Sequence, residues 1–139
     1  MVLADHATGS LVSAAHYQKL LLPIHQELTP QIHGPLILHV CGDCSDRLEL
    51  FAASGVDACH MEWQVDAAEA VRRVGDRIAL IGNVNNARVL YQGTPEDVHR
   101  QVRYAVAAGI DIIAPECAVP LATPLENIQA IVAAAKEGY

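Results

Sequence analysis

Cationic side chains are scarce in this sequence. Nine Lys and Arg stand against sixteen Asp and Glu, a formal charge of −7, and no Lys/Arg cluster is present. A nucleic-acid partner is not expected, because binding to phosphate backbones rests on grouped cations. Aromatic residues make up only 4%, beside 52% apolar and 18% charged residues. Such a balance belongs to a compact globular domain rather than to a disordered chain. No apolar run approaches the roughly 20 residues that cross a bilayer. A secretory leader is not expected either, since an Asp and a His follow Met1 within five positions. Four Cys are too few for a disulfide scaffold at this length. They read as reduced thiols or metal ligands, and the expected location is cytoplasmic.

What the sequence does have is a regular alternation. Short, β-branched apolar runs at Val2–Asp5, Leu36–Cys41, Asp57–Met61, Ile78–Val84 and Ile110–Pro115 are separated by longer amphipathic segments. Most of the runs are apolar on both faces, as in a buried parallel sheet. Ser13–Thr29 sets Tyr17, Leu20, Leu21, Ile24 and Leu28 on one helical face, with Pro23 predicting a kink. Asp46–Ser54 places Leu48, Phe51 and Ala52 together, and Glu96–Ala108 does the same with Val98, Val102, Ala105 and Val106. Thr94-Pro95 and Thr123-Pro-Leu-Glu126 signal helix starts, the latter as a capping box, while Gly55 and Gly109 signal helix stops. No linker, repeat or low-complexity tract interrupts the series, so a single α/β domain over residues 1–139 is expected. Five parallel strands fit an open doubly wound sheet or an arc of a (β/α)8 barrel, whose full circle takes about 250 residues. Ala7-Thr-Gly-Ser10 is a poor dinucleotide-binding turn.

The polar residues converge on one edge. Asp5, His39, Cys41, Glu62, Asn83 and Cys117 all fall at or just past a strand's C-terminal end, where both architectures bind ligands. Along a strand, residues i and i+2 share a face, so His39 and Cys41 can share a metal. A third ligand from another strand end, with Cys117 the natural candidate, would give a three-ligand zinc site with an open position. The alternative is that these are small buried thiols and a hydrogen-bonded core histidine. Cys41-Gly-Asp-Cys44 also has the form of a redox dithiol, but Cys44 lies past the strand and reads as a spectator. Asp5 either meets substrate, orients a ligand or caps the next turn. Glu62 is a general base, an alternative metal ligand or a solvated turn residue. Asn83 ends a buried strand, where its amide wants partners, and substrate or cofactor contact fits it. His60 is expected to be structural and Cys59 part of the core. His6, His16, His25, His33 and His99 share no spacing and are expected at the surface.

Five segments occurring in order carry a family likeness: His39-Val-Cys41-Gly, Ile81-Gly-Asn-Val84, Gly93-Thr-Pro-Glu96, Gly109-Ile-Asp-Ile-Ile-Ala-Pro-Glu-Cys117 and Thr123-Pro-Leu-Glu-Asn-Ile128. Together they resemble the methylcobalamin:coenzyme M methyltransferases of the uroporphyrinogen decarboxylase superfamily, over their C-terminal portion only. The resemblance implies about five βα units of a (β/α)8 barrel and zinc held by His39, Cys41 and Cys117. It also implies transfer of a methyl group from a methylcobamide, free or on a corrinoid protein, to a small thiol such as coenzyme M. Cys44 stands where the family has a small polar residue. The barrel's remaining strands, absent here, leave two further expectations: a catalytically incomplete half-barrel that keeps zinc, or a chain completed by a partner or a second copy. A porphyrinogen decarboxylase-like lyase is a third reading, and the zinc ligand set speaks against it.

Overall fold

The computed structural model describes residues 1–138. Strands β1 (Val2–Asp5), β2 (Ile37–Val40), β3 (Ala58–His60), β4 (Ala79–Val84) and β5 (Ile112–Pro115) form one sheet. All four pairings are parallel, and the order across the sheet is the order along the chain. A doubly wound sheet would reverse direction at a switch point. With no reversal, right-handed crossovers place every helix on one face, and the structure is an arc of a barrel.

The two faces of the strands are chemically distinct. Leu38 and Val40 of β2 are buried among Tyr17, Leu48 and Phe51 from the helical layer. Ile37 and His39, on the opposite face, are only partly buried. Pairing in register joins Ala4, His39, His60, Ile81 and Ile112 into one row along that inner face. Ile112, at the end of the row, is 52% exposed.

Helix α1 (Ala14–His16) runs through a π-helical turn at Tyr17–Leu21 into α2 (Leu22–Leu28). Here the structure corrects the expected stripe. Tyr17, Leu22 and His25 are the buried positions, while Leu20 and Ile24 are more than half exposed. The Leu22 N–H reaches back five residues to the Tyr17 carbonyl. Leu21 and Leu28 are partly buried, and a wider turn just before Pro23 shifts the phase of the helix, so a stripe counted at 3.6 residues per turn holds only in part.

Helix α3 (Leu48–Ala52) follows a 3-10 turn, and α4 (Ala67–Val74), which the periodicity did not single out, is capped by Asp66. Asn85 caps a π-helical segment at Asn86–Tyr91. Helix α5 (Pro95–Ala108) starts with a reciprocal capping box between Thr94 and Asp97 and ends on Gly109 at φ 96°, a left-handed conformation that suits glycine. Helix α6 (Leu125–Gly138) lacks the expected box, because the Thr123 hydroxyl is buried without a partner. Its first turn instead bonds to the Pro124 carbonyl. Successive helices α3 to α6 pack side by side over the sheet. No helix among the described residues is long and apolar enough to cross a membrane.

Candidate metal centre

Strand ends bring three of the expected residues together. The His39 Nε2 lies 3.2 Å from the Cys41 Sγ and 3.5 Å from the Cys117 Sγ. The two sulfurs are 3.5 Å apart, and both thiols are free. His39 and Cys41 sit two residues apart at the end of β2, whereas Cys117 arrives from just past β5, so the cluster spans the arc. Among the described residues this is the one group whose donor atoms all lie within 4.8 Å of each other. One imidazole nitrogen and two sulfurs at such spacing suit a tetrahedral, borderline-soft cation with one position left open.

A second histidine, His60, supports the cluster. The rings of His39 and His60 lie 4.6 Å apart. The His60 Nε2–H donates to the Pro115 carbonyl at 2.7 Å, which ties β3 to β5 across the intervening strand. Burial, then the neighbouring His60, lowers the His39 pKa. A neutral ring results, and its Nε2 lone pair is free to serve as a ligand. The Nδ1 is buried; the His60 main chain is near enough to favour a proton there, yet no aligned bond forms. Burial pushes the Cys41 thiol up to about 12, helped by the Cys117 thiol and then by the Glu62 carboxylate. Such a thiol ionises only when a positive charge is supplied. The donor set therefore fits a divalent metal of borderline softness, zinc among them.

The other expected residues take different places. Glu62, partly buried, approaches Cys41 closely enough to influence its thiol. Asn83 is buried, and its amide donates to the main-chain carbonyls of Val65 at 2.6 Å and Glu62 at 3.3 Å. It thereby pins the loop that carries Glu62. Close approach of this loop to β4 requires Gly82: a Cβ there would lie 2.8 Å from the Met61 carbonyl oxygen. Asp5 is not brought to the cluster. Register pairs it with Val40, on the helix side of the sheet, while His39 points to the inner side. Its Oδ1 accepts from the Ala7 N–H at 2.7 Å, and its Oδ2 lies 3.3 Å from the His25 Nε2 without a well-aligned bond.

His25 itself corrects the expectation of a surface residue. It is buried and hydrogen-bonded to the Tyr17 hydroxyl at 2.8 Å. Cys44 and Cys59 are both buried in the hydrophobic core, outside the trio. Sequence reasoning missed Glu116. Its buried carboxylate accepts the N–H of Asn86 at 2.7 Å and that of Trp63 at 3.0 Å. Burial raises its pKa, and those two bonds oppose the rise. Its place directly before Cys117, within the Gly109–Cys117 segment, was the available signal.

A family model described as uroporphyrinogen decarboxylase matches residues 1–138. The chain belongs to the uroporphyrinogen decarboxylase family. Within that family it is 37% identical over 138 residues to a methylated-thiol–coenzyme M methyltransferase of Methanosarcina mazei, covering 99% of this chain and 37% of the relative. It is 33% identical over 134 residues to methylcobamide:CoM methyltransferase MtaA of Methanosarcina barkeri, covering 96% of this chain and 40% of that protein. A uroporphyrinogen decarboxylase of Shewanella pealeana is 46% identical, but over 61 residues only, 44% of this chain and 17% of that enzyme. A solved methyltransferase from Methanosarcina mazei superposes with a TM-score of 0.93 at 29% identity, covering 98% of this chain and 41% of its own. The chain thus spans about two-fifths of the length of the methyltransferases it resembles. The match over nearly the whole chain agrees with the barrel arc read from the strand order.

Proposed function

We propose that this chain carries the zinc centre for transfer of a methyl group from a methylcobamide to a small thiol of the coenzyme M type. The observation that supports it most strongly is the convergence of His39, Cys41 and Cys117, from two separate strand ends, within 4.8 Å. The relatives named as methylcobamide:CoM methyltransferases point to the same reaction class. His39, Cys41 and Cys117 would hold the ion. Zinc would supply the positive charge that lets a thiol lose its proton near neutral pH, and an open position for the acceptor's sulfur. Glu62 lies beside the cluster and is assigned the role of receiving the acceptor's proton at its carboxylate. Asn83 acts by holding the Glu62 loop toward the bound reactants. Asp5 acts at a distance, fixing the start of the loop after β1. The methyl donor is a methylated corrinoid, either free or on a carrier protein, and a cytoplasmic setting matches the four free thiols.

A second reading has its own support. The exposed apolar residues Ile112 on β5 and Leu125, Ile128 and Val132 on α6 suit a half-barrel that keeps zinc but turns over only when further strands, from a partner or a second copy, cover it.

Metal analysis and methylcobalamin demethylation with added thiols, on the wild type and Cys117→Ser, separate these readings. About one zinc per chain, lost in the variant, with thiol-dependent demethylation supports the enzyme. Zinc without turnover supports the half-barrel, and a wild type without zinc refutes both.

A further inference from the structure

We infer that Glu116 is a positioning residue that sets the Cys117 sulfur against Cys41 and His39; this rests on the metal-site reading above. The carboxylate is buried, and each oxygen is used. Oε2 accepts the Trp63 N–H, from the residue that follows Glu62, and Oε1 accepts the Asn86 N–H, from the start of the π-helical segment that follows β4. The main chain of Glu116 is fixed as well, its N–H donating to the Val84 carbonyl at 2.9 Å. One side chain therefore ties together the segments that follow β3, β4 and β5, and the next residue in the chain is Cys117.

Geometry explains why such a tie is needed. His39 and Cys41 share one strand, so their spacing follows from local structure alone. Cys117 comes from a strand three places away in the sheet, and no local rule fixes its distance from them. A charged acceptor with two main-chain N–H donors makes strong, directional bonds. The bond to Asn86 is buried and the bond to Trp63 partly so, and together they hold the two segments in a single relative position. His60 makes a second tie, two residues before Cys117, through its bond to the Pro115 carbonyl. Groups that orient metal ligands in this indirect way commonly carry about 10- to 100-fold in metal affinity. Glu116→Gln keeps the shape of the side chain but sets an NH2 group against one of the two N–H donors.

The test uses the whole chain, stripped of metal with a chelator and titrated with Co2+. The near-ultraviolet thiolate-to-cobalt absorption then reports how many thiolates bind. The wild type is expected to bind Co2+ with the intensity of two thiolates. Glu116→Gln is expected to lose about 10-fold or more in affinity and to drop toward the intensity of one. Glu116→Asp, with both oxygens on a shorter side chain, should fall between them. Ser54→Ala, which removes a buried bond from Ser54 to the Phe51 carbonyl, is the destabilised control and should bind as the wild type does. Wild-type affinity and spectrum in Glu116→Gln would overturn the inference. So would loss of fold in both Glu116 variants, which would mark the carboxylate as a stability element only. Absence of the band in the wild type would overturn the metal reading, and this inference with it.

Discussion

Arg47 offers a demanding test of how the ligand-bearing edge of the sheet is held. Its side chain is fully buried. Nη1 donates to the Ala7 carbonyl at 2.7 Å, and Nη2 donates to the Val12 carbonyl at 2.6 Å. Nε meets Asp46 at 2.7 Å, and the guanidinium carbon stands 5.6 Å from the centre of the Tyr17 ring. Arg47→Met keeps most of the volume and removes every one of these polar contacts. The buried Ala7 carbonyl is left without its partner at a cost of about 1–3 kcal/mol. The Val12 carbonyl, partly open to water, loses about 1 kcal/mol, and the ring contact about another 0.5 kcal/mol. Asp46 is 51% exposed and rehydrates at little cost. Relief from burying a cation returns part of the total. The net expectation is a loss of about 2–4 kcal/mol, equivalent to a melting point lower by roughly 7–14 °C for a chain of this length. Urea and thermal unfolding followed by circular dichroism measure both quantities. Arg72→Met, which breaks a solvent-exposed pair with Glu69, is the control and should unfold close to the wild type. A loss below about 1 kcal/mol in Arg47→Met would refute the reasoning, since it would mean that water or a rearranged loop satisfies both carbonyls.

Two further expectations follow from buried side chains. Burial, partly opposed by Asp5, lowers the His25 pKa in the folded state. The unfolded chain therefore binds the proton more readily, so this residue's contribution to stability is present above the unfolded value near 6.5 and is lost as the pH falls below it. His39 has the same sign. The difference between wild type and His25→Gln, measured as unfolding free energy from pH 8 to pH 5, isolates the His25 share, and a variant as pH-sensitive as the wild type would count against it. Cys44→Ser should leave zinc stoichiometry unchanged, because the Cys44 sulfur lies outside the donor trio; metal loss in that variant would reassign the ligands.

Much of the site could be read from residue order because its strongest pair is local. His39 and Cys41 are two apart on a strand, and the pleat alone puts them on one face. Cys117 could be nominated from its place after an apolar run but not located, since its approach depends on the curvature of the arc. Asp5 shows the limit of counting strand ends. It occupies the same sheet edge as His39, yet the register turns it to the helix side, where His25 meets it. The stripe expected on α1 and α2 held at Tyr17, Leu21 and Leu28 but not at Leu20 and Ile24 for a related reason: the π-helical turn at Tyr17–Leu21 shifts the phase, and no hydrophobic period announces it. Glu116 escaped notice because its importance lies in two main-chain N–H groups from distant loops.

The sequence by itself determined the parallel α/β architecture, the positions of the strands and the identity of the metal-capable residues. Those features follow from short-range periodicity, capping chemistry and the alternation of side chains along a strand. Only the tertiary structure decided that the strands run in unbroken order as a barrel arc, that Cys117 closes on His39 and Cys41, and that Asp5 does not. These outcomes depend on long-range pairing between segments up to about 80 residues apart, whose register is set by packing across the whole sheet rather than by any neighbour in the chain.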